Sequence, residues 1–74
     1  EFLVILPDTD IFSAALIAEK IRKSIEDYKI EDNNFKVTIS IGLTQYSGDD
    51  TTTIIRRADQ LLYKCKQNGR NRVE

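Results

Sequence analysis

The sequence has 74 residues, enough for one small domain, and its 41% hydrophobic and 31% charged residues are typical of a soluble globular protein. Its net charge of −1 excludes a global electrostatic attraction to nucleic acid or to an acidic membrane surface, so we expect neither as a partner. The sequence contains no histidine, which excludes histidine-based catalysis and histidine-ligated zinc, and its single cysteine, Cys65, excludes an internal disulfide and fits a reducing compartment. No apolar run approaches the roughly 20 residues that a membrane-spanning helix needs.

The first half of the chain predicts a strand followed by a helix. Residues 2–6 form a continuous apolar run that Pro7 ends, which predicts a strand buried on both faces. Residues 7–10 supply turn residues and candidate N-caps for a helix predicted over residues 11–28. Its predicted inner face consists of Ala14, Ile17 or Ala18, Ile21, Ile25 and Tyr28. Its predicted outer, solvated face carries charges of both signs: Glu19, Lys20, Arg22, Lys23, Glu26 and Asp27.

The second half repeats this order. Residues 35–44 alternate between apolar and polar side chains, which predicts a half-buried strand with one apolar face. A turn follows, and residues 51–53 offer N-caps for a last helix that is predicted to end at about Asn68. Gly69 is well placed as the left-handed residue after that helix, Cys65 is predicted to be buried on its inner face, and residues 71–73 are a candidate further strand.

The last helix ends in a cluster of basic residues. They are Lys64, Lys66, Arg70 and Arg72, arranged around Gly69. Cations at this end of a helix can complement its dipole, which stabilises a helix by a few tenths to about 1 kcal/mol, or they can bind an anion. The spacing alone favours the first interpretation.

The predicted elements make a small sheet. Two strands are marginal in water, and so small a core has neither a disulfide nor a metal ion to support it. The chain also begins directly on an apolar run, without an initiator methionine or a signal peptide. We therefore expect it to be part of a longer protein, with further strands on the N-terminal side or from another chain.

Three segments of the chain carry distinctive motifs: EFLVILP at residues 1–7, VTISIGL at residues 37–43 and ADQLLYKCKQNGRNR at residues 58–72. Together they resemble the GGDEF domain, which defines the bacterial diguanylate cyclase family. Residues 1–7, EFLVILP, resemble the last two letters of the family signature and the strand behind it. Residues 37–43, VTISIGL, resemble the family's VTxSIG strand, and residues 58–72 resemble its AD-ALY-AK-GRNR ending. Their order and spacing also match. We predict that residues 1–74 are the C-terminal part of one GGDEF domain whose N-terminal half is absent.

The resemblance implies an α+β fold. We expect a partial ferredoxin-like βαβα fragment, related to the nucleotide-cyclase palm, with antiparallel strands and helices packed on the sheet. In the intact sheet the two strands present here are not neighbours. We therefore expect them to pair directly as an antiparallel couple, or to fill the gap with another copy in an oligomer.

The resemblance also implies a reaction. The intact domain condenses two GTP molecules into cyclic di-GMP and releases pyrophosphate, helped by Mg²⁺ or Mn²⁺. Each domain holds one GTP, so a second GGDEF domain is an implied partner, as a homodimer. We expect no metal ion bound to this fragment and no catalysis by it. We expect a bacterial, cytoplasmic location, in a parent protein that is free or membrane-anchored.

The resemblance assigns roles to particular residues. Lys66 and Arg70 stand where the family has a lysine and an arginine that contact the triphosphate, whereas Arg72 could equally serve structural pairing. Glu1 is the fourth letter of the signature and auxiliary at most, because the acidic third letter, a metal ligand and catalytic group, is not in this chain. We thus predict no catalytic residue or metal ligand here. Lys20 is a candidate contact for the inhibitory product.

Two other interpretations stay open from the sequence. The parent could be a degenerate GGDEF module that senses GTP or dimerises without catalysis, which the three residues before Glu1 would decide. The chain could also be an unrelated small βαβα domain, which the three matching segments disfavour.

Overall fold

The computed structural model describes residues 1–28 and 37–74, which contain two α-helices of 17 residues each. Helix α1 spans Ile11–Asp27 and helix α2 spans Thr51–Gln67. Both helices end one residue before their predicted last residues, Tyr28 and Asn68. The first two residues of the predicted second strand, Phe35 and Lys36, lie outside the described residues.

An aspartate caps the N-terminus of each helix. The carboxylate of Asp10 accepts a hydrogen bond from the backbone N–H of Ser13 at 2.8 Å, and that of Asp50 accepts one from Thr53 at 2.8 Å. Each bond satisfies a backbone donor that the first helical turn leaves unpaired. The prediction of an N-cap within residues 51–53 is therefore wrong, because Asp50 already has the extended backbone and the side-chain reach that the position requires.

The predicted sheet is not found among the described residues, so the α+β expectation of a ferredoxin-like fragment with antiparallel strands is wrong for this structure. Residues 2–6 have no backbone hydrogen-bond partner in the described chain, and Phe2 and Ile5 are 101% and 76% exposed. An apolar run predicts burial, but it becomes a strand only where another strand satisfies its backbone groups. No such strand lies beside residues 2–6 in the described structure.

A single short pairing replaces the expected antiparallel couple in the described chain, and it is parallel. Ile41 is bridged to Val73: the N–H of Ile41 donates to the carbonyl of Arg72 at 3.0 Å, and the N–H of Glu74 donates to the carbonyl of Ile41 at 3.0 Å. Helix α2 lies between these two segments in sequence. A helical crossover returns the chain in its original direction, and this makes the pair parallel.

The best-buried part of the described chain is where α2 packs on this pair. Cys65 is fully buried, as predicted, and its Sγ lies 3.4 Å from the carbonyl oxygens of Ile41 and Arg72. Beside it, a Cβ on Gly42 would lie 2.2 Å from the carbonyl oxygen of Ala58. The backbone around Gly42 therefore approaches the backbone of α2 more closely than any side chain would allow.

Helix α1 buries a narrow face. Ala14 and Ala18 of the predicted inner face are buried, whereas Ile17, Ile21 and Tyr28 are exposed. Neither α1 nor α2 is long and apolar enough to cross a membrane, and these are the helices of the described residues.

Candidate functional site

The end of α2 is a turn of three consecutive left-handed residues. Gly69, Arg70 and Asn71 have φ angles of 107°, 63° and 49°. The N–H of Arg70 donates to the carbonyl of Cys65 at 2.8 Å. Of the two hydrogen bonds that define a Schellman ending, this is the one that spans more residues. The prediction that Gly69 adopts a left-handed conformation is confirmed, but the sequence analysis did not extend that conformation to the next two residues.

A left-handed backbone is costly for residues other than glycine. It disfavours a typical L-residue by roughly 1–2 kcal/mol, although asparagine tolerates it better than most. Arg70 and Asn71 thus need compensating contacts. Asn71 provides them, because its backbone N–H donates to Ser40 Oγ at 3.1 Å and its side chain reaches α1.

The contact of Asn71 with α1 uses both ends of its side-chain amide. Arg22 Nη1 donates to Asn71 Oδ1 at 2.8 Å, and Asn71 Nδ2 donates to the carboxylate of Glu26. Arg22 also donates to Glu26 at 3.3 Å and to Glu19 at 2.9 Å. We refer to Arg22, Glu26, Ser40 and Asn71 as the tail lock, because they fasten the turn after α2 to two other segments.

The tail lock is largely removed from solvent. The side chains of Arg22 and Glu26 are only 13% and 18% exposed. The expectation of a solvated outer face on α1 is wrong for these two residues. The amide of Asn71, followed by the ammonium of Lys23, lowers the pKa of Glu26 from 4.5 to about 2, so Glu26 is a carboxylate at neutral pH.

Two cations are assigned to phosphate binding, one just before this turn and one within it. Lys66 lies in the last turn of α2 and Arg70 follows Gly69, and both are exposed. Neither side chain forms a hydrogen bond or an ion pair within residues 1–28 and 37–74. Arg72 differs, since it donates to the carbonyl of Asn68 at 2.9 Å and pairs with Glu74 at 3.3 Å. Arg72 is thus engaged in structural pairing, whereas Lys66 and Arg70 present their charges to solvent.

The other two candidate residues lie in other elements. Glu1 is exposed at the start of the chain, and Lys20 is exposed on α1. The described contacts do not connect either of them to Lys66 or Arg70.

A metal ion would require a cluster of suitable ligands. Among residues 1–28 and 37–74, no three His, Cys, Asp or Glu side chains are grouped closely enough to hold one. The donor set of the described residues therefore does not fit a metal site.

A family model matches almost the whole chain. The family model for "Diguanylate cyclase, GGDEF domain" matches residues 1–72, from the EF start to the GRNR ending. The chain belongs to the GGDEF domain family. The resemblance found in the sequence is therefore confirmed over nearly its whole length.

Several similar proteins align with almost all of the chain. It is 47% identical to diguanylate cyclase A of Treponema denticola, over 99% of this chain and 21% of that protein. It is 38% identical to a diguanylate cyclase of Vibrio cholerae, over 97% of this chain and 23% of that protein. The response regulator PleD of Caulobacter vibrioides is 35% identical, over 99% of this chain and 17% of PleD. The chain thus spans about a fifth of the length of these relatives.

The contacts of the tail lock were not predicted from the sequence of this GGDEF chain. Arg22 and Glu26 stand four residues apart, a spacing that usually indicates a solvent-exposed ion pair. The one available signal was Asn71 itself, because asparagine after Gly-Arg is suited to a left-handed turn and carries a donor and an acceptor.

Proposed function

We propose that this chain supplies the triphosphate-binding end of a diguanylate cyclase domain, with Lys66 and Arg70 in contact with phosphate oxygens of GTP. The observation that carries the proposal is the pair of exposed cations at the end of α2. Neither has a carboxylate partner in the described chain, although Arg72 beside them does. Membership of the GGDEF family supports a nucleotide as the anion that they bind.

The two side chains suit a triphosphate in different ways. The ammonium of Lys66 is a compact charge with three donors, whereas the guanidinium of Arg70 is a planar fork that matches two phosphate oxygens. Hydrogen bonds to charged groups contribute about 1.5–3 kcal/mol each, which corresponds to about a 10- to 100-fold change in affinity.

In the proposed reaction the 3′-hydroxyl of each GTP attacks the α-phosphate of the other. The hydroxyl oxygen forms a bond to the α-phosphorus of the second nucleotide, the bond from that phosphorus to the bridging oxygen of pyrophosphate breaks, and the hydroxyl proton passes to solvent. Two such steps give cyclic di-GMP and two pyrophosphates. In this reaction Lys66 and Arg70 hold the triphosphate, whose outer two phosphates leave as pyrophosphate, so their main contribution is to the binding of GTP.

The remaining parts of the reaction would come from elsewhere in the parent protein, of which residues 1–74 are the proposed C-terminal part of one GGDEF domain. Because the described residues offer no metal-binding cluster, Mg²⁺ or Mn²⁺ would be held by other residues. A second GGDEF domain would bring the other GTP. We propose that the reaction takes place in the cytoplasm. Glu1 would have an auxiliary role at most. Lys20 would contact cyclic di-GMP when it binds as an inhibitor.

The decisive experiment measures steady-state kinetics of the full-length parent with GTP and Mg²⁺. Lys66→Ala and Arg70→Ala should each raise KM for GTP about 10- to 100-fold. Lys64→Ala is the matched control, because Lys64 is an exposed lysine in the same helical turn. Unchanged KM in both Lys66→Ala and Arg70→Ala would overturn the assignment.

A second experiment tests the isolated chain and the competing interpretation. The 74-residue chain, incubated with GTP and Mg²⁺, should form no cyclic di-GMP. Product above background would contradict its proposed inactivity. If the full-length parent instead binds GTP without forming product, it is a regulatory GGDEF module rather than a cyclase.

A further inference from the structure

We propose that Asn71 is a positioning residue for GTP binding, which fixes the backbone of Arg70 by fastening the left-handed turn to Arg22 and Glu26 of α1 and to Ser40. The inference rests on the proposed function of Arg70. It assigns a role in substrate binding to residues that do not themselves touch the nucleotide.

The polar groups of Asn71 are each matched to a partner of the opposite hydrogen-bonding type. Its Oδ1 accepts from Arg22, its Nδ2 donates to Glu26, and its backbone N–H donates to Ser40. Arg22 can only donate and the Glu26 carboxylate can only accept, so the site needs one acceptor and one donor on a single short side chain. An amide meets this requirement, whereas a carboxylate in its place would face Glu26 with like charge.

The left-handed turn at Gly69–Asn71 requires contacts that hold its backbone in place. Arg70 has a φ of 63°, and the backbone geometry of an arginine in this region is disfavoured unless its surroundings impose it. The Schellman bond to Cys65 restrains Arg70 from the side of α2. The tail lock restrains it from the other side, through the residue that follows it.

The long side chain of Arg70 makes the position of its guanidinium sensitive to the backbone. A rotation of the backbone at Arg70 is amplified at its guanidinium, because four side-chain bonds separate the two. Substrate contacts lose much of their effect when they are misplaced by as little as about 1 Å. A looser turn should therefore weaken GTP binding while it leaves the folded structure in place.

The test uses the full-length parent and two substitutions of Asn71. Asn71→Asp keeps the acceptor for Arg22 but removes the donor to Glu26. Asn71→Gly keeps the left-handed backbone accessible and removes the whole amide, and it serves should Asn71→Asp fail to fold. We expect each to raise KM for GTP about 5- to 10-fold, the effect of one to two hydrogen bonds, with less than about a 3-fold change in kcat.

A complementary double variant separates positioning from general destabilisation. In Glu26→Gln/Asn71→Asp the new amide of residue 26 can donate to the new carboxylate, which still accepts from Arg22. We expect KM to return to within about 2-fold of the wild-type value. The dissociation constant of 3′-deoxy-GTP, which lacks the attacking hydroxyl, should follow the same order when it is measured by calorimetry.

The outcomes distinguish this inference from the proposed function. If Arg70→Ala raises KM but Asn71→Asp and Asn71→Gly do not, the positioning role is overturned and the phosphate contact stands. Failure of the double variant to restore KM would likewise overturn the role of the Glu26 contact. If Arg70→Ala leaves KM unchanged, Arg70 does not contact the triphosphate and the positioning role is overturned with it. The proposed function itself is wrong only if Lys66→Ala also leaves KM unchanged.

Discussion

The side-chain amide of Asn71 donates a hydrogen bond to the carboxylate of Glu26, a residue 45 positions earlier in the chain. This bond connects α1 to the turn that follows α2. It is also the largest cause of the low pKa of Glu26, to which the ammonium of Lys23 adds. One of the two side-chain bonds that attach the turn to α1 therefore depends on the ionisation of a carboxyl group.

Acid should weaken this attachment over a defined range of pH. The pKa of Glu26 is about 2 in the folded protein and has an ordinary value of 4.5. A depressed pKa means that the stabilisation is complete above about pH 4.5 and is lost as the pH falls towards 2. Carboxyl resonances followed by NMR should place the Glu26 midpoint near 2, and Asn71→Ala should move it upward.

A substitution of Glu26 itself provides the control for stability. Glu26→Gln removes the ionisation, so the free energy of unfolding should fall less steeply between pH 4.5 and 2 than in the wild type. A wild-type Glu26 midpoint near 4.5 would show that the Asn71 contact is not formed in solution.

Gly42 should tolerate no side chain. The Cβ of Gly42→Ala would lie 2.2 Å from the carbonyl oxygen of Ala58 and 2.5 Å from the amide nitrogen of Leu62, both backbone atoms of α2. Relief of this overlap requires the helix to move, and overpacking of this kind costs about 1–3 kcal/mol. Urea denaturation should show this loss, and Gly42→Val should show a greater one.

Gly48 offers the contrasting case. It has open space around its Cβ position but a φ of 87°, so Gly48→Ala should cost about 1 kcal/mol through backbone conformation alone. Asparagine tolerates that conformation, so Gly48→Asn should be milder than Gly48→Ala, whereas no small residue should rescue position 42. Equal tolerance of alanine at positions 42 and 48 would contradict the steric explanation.

Sequence reasoning succeeded where the signal is local. Helical spacing and capping chemistry among neighbouring residues predicted the bounds of α1, the last residues of α2, the left-handed Gly69 and the buried Cys65. The three matching segments were likewise sufficient to identify the family. The assignment of Lys66 and Arg70 came from that family pattern, since their spacing alone favoured a role at the helix end.

Sequence reasoning failed where the structure depends on a partner distant in sequence. The apolar run at residues 2–6 predicts burial, but no surface covers it in the described chain, and so it forms no strand there. Residues 41–43 found a partner in residues 72–74, and the direction of that pairing follows from the helix between them. The contact between Glu26 and Asn71 spans 45 positions, and spacing within α1 carries no information about it.

The N-cap of α2 should be Asp50 in solution. Asp50→Ala removes the acceptor for the N–H of Thr53 and should cost about 1 kcal/mol, within the usual range of about 0.5–2. Thr51→Ala is the matched control, since Thr51 is exposed within the first turn and does not cap it. Chemical denaturation of both variants decides the point. A larger loss for Thr51→Ala than for Asp50→Ala would restore the cap that the sequence predicted.

Cys65 should react with thiol reagents only when the protein opens. Its side chain is fully buried beneath the parallel pair, and burial, together with the nearby charge of Glu74, raises the pKa of its thiol. The thiolate is the reactive form, so both access and ionisation protect it. Relative to the protein unfolded in guanidinium, we expect labelling by a disulfide reagent to slow on the order of 10³-fold or more, as the rarity of opening dictates.

An exposed cysteine on the same helix controls for the reagent. In Cys65→Ala/Gln67→Cys the single thiol lies two residues further along, at an exposed position of α2, and should react at nearly the unfolded rate. Denaturant well below the unfolding midpoint should accelerate labelling of Cys65 but not of the control, because only Cys65 waits for opening. Rapid labelling of native Cys65 would mean that residues 41–43 and 72–74 do not stay closed over α2, and the arrangement that holds the turn at Arg70 would then fail with them.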